Sequence, residues 1–148
     1  MRIYFDNCCY NRPYDDQTQI RIALETQAKL YIQKLIVERK VDLVFSYISW
    51  FENDMHPHDI KRESIADFFQ NAVLFFDETH ANIVEQHAKE IMNIGIKQKD
   101  ALHIACAVNA HCDYFITTDD EIIKKYQAKD IIVINPINFI KILEAQNA

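Results

Sequence analysis

Apolar residues in this chain fall into short runs, separated by longer segments in which they recur every three or four positions. Ile3 to Phe5 is the first run; it ends at Asp6 and reads as a buried strand. Asn7 to Asp16 holds Pro13 and several turn formers and reads as a loop, with Asp15 or Asp16 placed to cap the next helix. In that helix Ile20, Leu24, Tyr31 and Leu35 predict one apolar face, leaving Lys29, Lys34 and Glu38 outside. Val41 to Tyr47 predicts a second strand. Ser49 predicts the cap of a short helix through Trp50 and Phe51, which His56-Pro57 would end. Ile60 to Phe69 predicts a helix and Val73 to Phe76 a third strand. Thr79 to Ile94 is helical, with Ile83, Val84, His87, Ile91 and Ile94 on one side, and Gly95 suits its left-handed end. Lys99 to Ala110 predicts a compact helix rich in small residues. Asp113 to Thr117 is a fourth strand, Glu121 to Tyr126 a short helix and Ile131 to Ile134 a fifth strand. Pro136 to Ala145 closes the pattern as a helix with proline at a tolerated early position.

Strands that alternate with helices imply an α/β fold with a largely parallel sheet. Ligands of such open sheets bind at the carboxyl ends of the strands. A length of 148 residues suits a single domain, residues 1–148, large enough to bury a core without staples. With one glycine in the chain, a glycine-rich phosphate loop is excluded. The formal net charge of -6 gives no overall attraction for nucleic acid. Such a ligand would need a local basic patch, or cations that bridge phosphates to protein carboxylates. Cys8, Cys9, Cys106 and Cys112 form no CxxC pair, which excludes a zinc ribbon or a thioredoxin motif. Free thiols fit a reducing compartment. No apolar run approaches the roughly 20 residues of a membrane span, and Asp6 comes too early for a signal peptide. The expected location is the cytoplasm.

Four acids lie at or near strand ends. Asp6 ends the first strand, Glu52 lies in the first turn after the second, and Asp119 follows the fourth. Asp100 sits in the first turn of the helix leading into that strand. A parallel sheet brings its strand ends to one edge, so these carboxylates can converge there. Packed carboxylates repel one another and hold either protons or cations. Hard ions such as Mg²⁺ or Mn²⁺ favour oxygen ligands and suit phosphodiester chemistry. Each acid also has a plainer reading. Asp6 fits a turn, Asp100 and Asp119 fit helix starts, and Ser49-Trp50-Phe51-Glu52 fits a capping box.

The segment KDALHIACAVNAHCDYFITTDDEI, Lys99 to Ile122, resembles the most recognisable part of PIN domains: an Asp-Ala helix at Asp100-Ala101, a strand, and Thr117-Thr118-Asp119. Ile3 to Asn7 is similar to the first acidic strand of that family, and Phe45 to Glu52 to its second strand with the following Glu. The resemblance runs through nearly the whole chain in order. It implies a three-layer α/β/α fold around a five-stranded parallel sheet and a Mg²⁺- or Mn²⁺-dependent ribonuclease acting on RNA. Asp6, Glu52, Asp100 and Asp119 become its catalytic metal ligands, and Thr117 or Thr118 would orient a metal-held water. Many such proteins are toxins that form homodimers and are inhibited by a small antitoxin protein. This chain departs from the family in having Asn7 directly after Asp6, and Cys8 where Asn is expected. With the acidic charge, that motivates an alternative: a catalytically inactive PIN-like module that binds RNA or a protein partner.

Other residues complete the candidate site. Arg12 and Lys99, with Thr117 and Thr118, are the substrate-binding candidates, and Lys97, Lys124 and Lys125 extend the basic rim. Tyr10, Tyr14 and Trp50 could stack on unpaired bases, although Trp50 also fits the core. His103 stands at helical spacing from Asp100, able to bond a carboxylate or simply to pack. Asp120 fits an extra ligand or a helix cap. His56 and His58 lack further zinc ligands at useful spacing, and an acid beside Cys8 and Cys9 disfavours a reactive thiolate. A phospho-acceptor receiver would need an acidic pair after the first strand and a lysine after the fifth. Asp6-Asn7 and Asn135-Pro136 supply neither.

Overall fold

The computed structural model describes residues 1–146. Five strands form one sheet: β1 (Arg2–Phe5), β2 (Asp42–Ser46), β3 (Leu74–Phe76), β4 (Tyr114–Ile116) and β5 (Ile132–Ile134), in the order β3-β2-β1-β4-β5. Every pairing is parallel. Alternation along the strands splits the core in two. Ile3, Phe5, Leu43, Tyr114 and Ile116 face one side, whereas Tyr4, Val44 and Phe115 face the other. The first side is covered by α1 (Asn7–Asn11), α2 (Ile20–Val37), α4 (Asp59–Phe69) and α8 (Pro136–Gln146). The second is covered by α5 (Ala81–Met92), α6 (Gln98–Asn109) and α7 (Asp120–Lys125). The expected α/β/α layering and five-stranded parallel sheet are therefore the observed ones.

The chain winds outward from β1 to β3 on one side and from β4 to β5 on the other. Its direction reverses between β1 and β4, the switch point where open sheets leave a crevice beyond the strand ends. Asp6 and Thr117 follow the paired residues Phe5 and Ile116 at that crevice, and the Asp6 amide donates to the Ile116 carbonyl at 2.9 Å.

Three departures of local structure from the sequence pattern bear on the site. The expected loop after Asp6 is instead α1 followed by a 3₁₀ turn, Arg12–Tyr14. Asp6 caps this short helix, its Oδ1 accepting from the Asn7 amide at 2.8 Å, so a strand-end acid starts a helix where composition suggests irregular chain. The helix after β2 is α3 (Tyr47–Asp54), and its capping box joins Ser46 to Ser49 rather than Ser49 to Glu52. Glu52 is thereby free for another partner. The third departure is the face of α2. Ile20 is 77% exposed, Leu24 53% and Tyr31 48%, while Glu25, Lys29, Ile32 and Ile36 turn inward. Fully buried Glu25 forms an ion pair with Arg12 Nη2 at 3.1 Å and accepts from Arg21 Nε at 3.3 Å and from Asn135 Nδ2. Lys29 bonds Gln33 at 2.7 Å and lies over the rings of Tyr10 and Phe68. Polar partners on the sheet side of α2, which no local periodicity reveals, decide its orientation. Gly95 adopts φ +100° at the end of the helical segment before α6, as its place in the sequence predicts.

Candidate metal centre

Asp6 is 5% exposed, and both its carboxylate oxygens are held. Beyond the Asn7 amide on Oδ1, Thr117 Oγ1 donates to Oδ2 at 2.8 Å and the Cys8 thiol lies 3.4 Å from the same oxygen. Thr117 is fully buried and also accepts from the Asp119 amide at 3.1 Å. One threonine thus ties the end of β1 to the loop after β4. Thr118 is buried as well, its amide 3.4 Å from Cys8 Sγ. Asp119 is exposed and caps α7 through Oδ1, which accepts from the Glu121 amide at 2.9 Å.

Asp100 stands half-buried in the first turn of α6. Burial raises its pKa, and the charges of Asp6 and Asp119 add to the effect; His103 and Lys97 oppose it, and the carboxyl is pushed up to about 6. One turn later, His103 is 1% exposed. Its Nε2 lies 2.9 Å from Glu52 Oε1 and its Nδ1 2.6 Å from the Tyr4 hydroxyl. Tyr4 in turn meets Ser46 Oγ at 2.6 Å and Ser49 Oγ at 3.0 Å. Burial works against a charged His103, but the bond to Glu52 and the negative charges of Asp6, Glu52 and Asp100 outweigh it and raise its pKa. A carboxylate accepts from Nε2–H, which leaves Nδ1 facing a tyrosine whose own pKa burial holds well above normal. Glu52 is therefore oriented through a buried chain that starts in β1 and passes through α6.

Asp6, Glu52, Asp100 and Asp119, with Lys99 and His103, line one cavity of about 380 Å³ at the switch point. The four acids come from four separate segments of the chain. Among the described residues, no three His, Cys, Asp or Glu side chains stand close enough together to grip a cation as they are. The reason is visible in their bonds: Asp6 is occupied by its own helix and Thr117, Glu52 by His103, and Asp119 by α7. The donor set is nevertheless rich in carboxylate oxygen, and a carboxyl held near 6 by burial and by neighbouring carboxylates is one that added positive charge would relieve. That chemistry fits a hard divalent ion.

The remaining candidates are dispersed. Arg12 is committed to Glu25 at 3.1 Å and to Asp15 at 3.0 Å. Lys99 is exposed on the cavity rim. Lys125 is tied to Glu121 at 3.7 Å and to the Gly95 carbonyl at 3.2 Å. Tyr10 is buried in the core, whereas Tyr14 and Trp50 are partly exposed. Asp120 is gripped by Arg21 in a fork, at 2.6 and 2.7 Å, and a third Arg21 contact at 3.4 Å reaches the Thr118 carbonyl. Arg21 therefore holds the chain on both sides of Asp119. Sequence reasoning missed this residue. The signal available was Arg21 and Glu25 spaced one turn apart, beside the apolar stripe of α2. His56 Nε2 contacts Asn11 Oδ1 at 3.1 Å, and all four cysteines are free. No described helix is long and apolar enough to cross a membrane.

No protein-family model matches this chain, and no curated protein matches it in sequence. Its architecture is similar to a chain in the crystal structure of VapBC2 from Rickettsia felis bound to a DNA fragment from their promoter. That likeness has a TM-score of 0.55 at 14% identity and covers 91% of this chain and 98% of the other. It shows a shared fold.

Proposed function

We propose that this protein is a PIN-like endoribonuclease that depends on Mg²⁺ or Mn²⁺ and hydrolyses RNA phosphodiester bonds at the switch-point cavity. The observation that carries the reading is the convergence of Asp6, Glu52, Asp100 and Asp119 on one cavity, where burial and the charges of Asp6 and Asp119 raise the pKa of Asp100. The fold shared with the VapBC2 chain supports it. Asp6, Asp100 and Asp119, joined by Glu52, would hold the ion; when bound, it would activate water and stabilise the developing charge on the phosphate.

The protein's own groups have distinct tasks in this reading. Thr117 fixes Asp6 and the Asp119 backbone together, so the two acids keep their spacing. His103 holds Glu52 toward the cavity. Lys99 offers an ammonium at the rim for a phosphate. A cytoplasmic protein that pairs with itself and with a small antitoxin-like inhibitor belongs to the same reading, and the outward apolar residues Ile20, Leu24 and Tyr31 offer surface for such partners.

One set of contacts favours the alternative, an inactive module: both oxygens of Asp6 are occupied, and Arg12 points to Glu25 rather than to substrate. Calorimetric titration with Mn²⁺ separates the two. Nuclease function requires binding that Asp100→Asn weakens by at least about tenfold, about 1.4 kcal/mol. It also requires RNA cleavage that EDTA abolishes and Mg²⁺ restores. Absence of Asp100-dependent binding, together with intact RNA at every metal concentration, would leave the inactive module.

A further inference from the structure

A larger groove opens beside the acidic cavity. It measures about 640 Å³, within the range of small-molecule sites. Ile48 and Phe51 of α3, Met55 just after it and Leu102 of α6 form its apolar wall, and Gln98 with Lys99 forms a polar lip. The groove and the cavity share Asn7, Glu52 and Lys99, so a ligand can occupy both without leaving the surface. Phe51 is 64% exposed and Met55 68%, although apolar residues buried elsewhere in the chain fill both cores.

We infer that this groove is a subsite for one unpaired nucleobase of a single-stranded nucleic acid whose backbone crosses the acidic cavity. The inference rests on the phosphodiester reading above and adds to it where the strand is held. Three observations select this occupant. The groove is continuous with the site at which a phosphate would react, and a base lies one sugar away from its phosphate. Its wall is apolar and carries an aromatic ring, the kind of surface on which bases stack, and Gln98 and Lys99 line the same groove with an amide and an ammonium for a base edge and a phosphate. The third is charge. A protein of net charge -6, with Arg12 and Arg21 paired to its own carboxylates, is left with rim lysines such as Lys99 to hold a strand by its phosphates. Base contact must supply the affinity that electrostatics does not. A duplex, whose bases are stacked inside, would gain nothing from the groove.

Fluorescence anisotropy with a labelled single strand of about eight nucleotides tests this. The Asp100→Asn protein serves as the uncleaving background, with Phe51→Ala as the added change. Phe51 is too exposed for its loss to unfold the chain, and circular dichroism checks that directly. The expected result is binding about tenfold weaker for Phe51→Ala. The same variant should leave binding of a strand with one abasic position at the reactive step unchanged, because ring and base would be partners. Binding should also depend shallowly on salt, with a logarithmic slope of about one or less, as suits a single phosphate contact. A deoxy strand of the same sequence that shows the same Phe51 loss supports the base subsite equally. Equal affinity for a matched duplex, or an undiminished effect of Phe51→Ala on the abasic strand, overturns it. So does a concentration-dependent dimer, seen by sedimentation, that Phe51→Ala dissolves, since a second copy would then fill the groove. Cleavage that persists without any Phe51 dependence sinks the subsite alone. Phe51-dependent binding without metal-dependent cleavage sinks the nuclease reading alone.

Discussion

Asp100 concentrates the chemistry of the site in one side chain. A carboxyl whose folded pKa lies above its unfolded value stabilises the protein fully at low pH, and that contribution is lost as pH rises through the folded value. For Asp100 the loss falls between about 4 and about 6. In EDTA, Asp100→Asn should therefore raise the unfolding free energy at pH 7 by about 1 kcal/mol after allowance for solvent screening. At pH 4 the gain should vanish. Chemical denaturation of both proteins at the two pH values measures this; a destabilising change at pH 7 would mean that the carboxylate is satisfied without a cation. Glu52 shows how a partner changes a residue's meaning. Its spacing from Ser49 reads as a capping box, yet Ser46 makes that box and Glu52 turns to His103. Nothing near Glu52 in the chain announces His103, 51 residues away. Asp6, by contrast, is legible at once, because an acid that ends a buried strand has few places to go.

Among the elements, α2 separates pattern from outcome most clearly. Its apolar stripe predicts a buried face, but Ile20, Leu24 and Tyr31 are exposed while Glu25 and Lys29 are buried. The helix itself was readable from residues 20 to 35; its rotation was not, because Arg12, Asn135 and the rings of Tyr10 and Phe68 lie elsewhere in the chain. Lys29 carries a cost in this arrangement. Burial lowers its pKa to about 8. A lysine with a depressed folded pKa destabilises the protein when protonated, and the penalty is lifted as pH rises from about 8 toward its unfolded value near 10.5. Lys29→Met should stabilise the protein at pH 7 by about 1–2 kcal/mol, since a methionine fills similar space without a buried charge. The advantage should shrink above pH 8. Thermal melts across pH 6 to about 9.5 check the sign; a loss of stability at pH 7 would show that the bond to Gln33 and the two rings outweigh desolvation.

At the scale of the whole molecule, the site is a property of how separate segments are tied together. Arg21 of α2 grips Asp120 and the Thr118 carbonyl, while Asn135 after β5 reaches Glu25 on the same helix. One helix thereby braces the loop that carries Asp119. Arg21→Gln should cost about 1 kcal/mol of stability, since the arginine is half exposed. Its larger effect should be on Mn²⁺ affinity, weakened by several fold with no ligand altered; calorimetry that finds unchanged affinity would reject the bracing role. The sequence by itself determined the succession of strands and helices along the chain, the largely parallel character of the sheet and the placing of four acids near strand ends. Those follow from short-range periodicity, from connection lengths and from the rule that parallel strands end on one edge. Only the tertiary structure decided which face of α2 is buried, that His103 rather than Ser49 holds Glu52, and that Arg12 serves Glu25. Each depends on a polar partner distant in the chain, and hydrogen bonds and ion pairs between distant segments leave no periodic trace along a sequence. The four carboxylates seen at strand ends are thus arranged by residues that the sequence pattern did not mark.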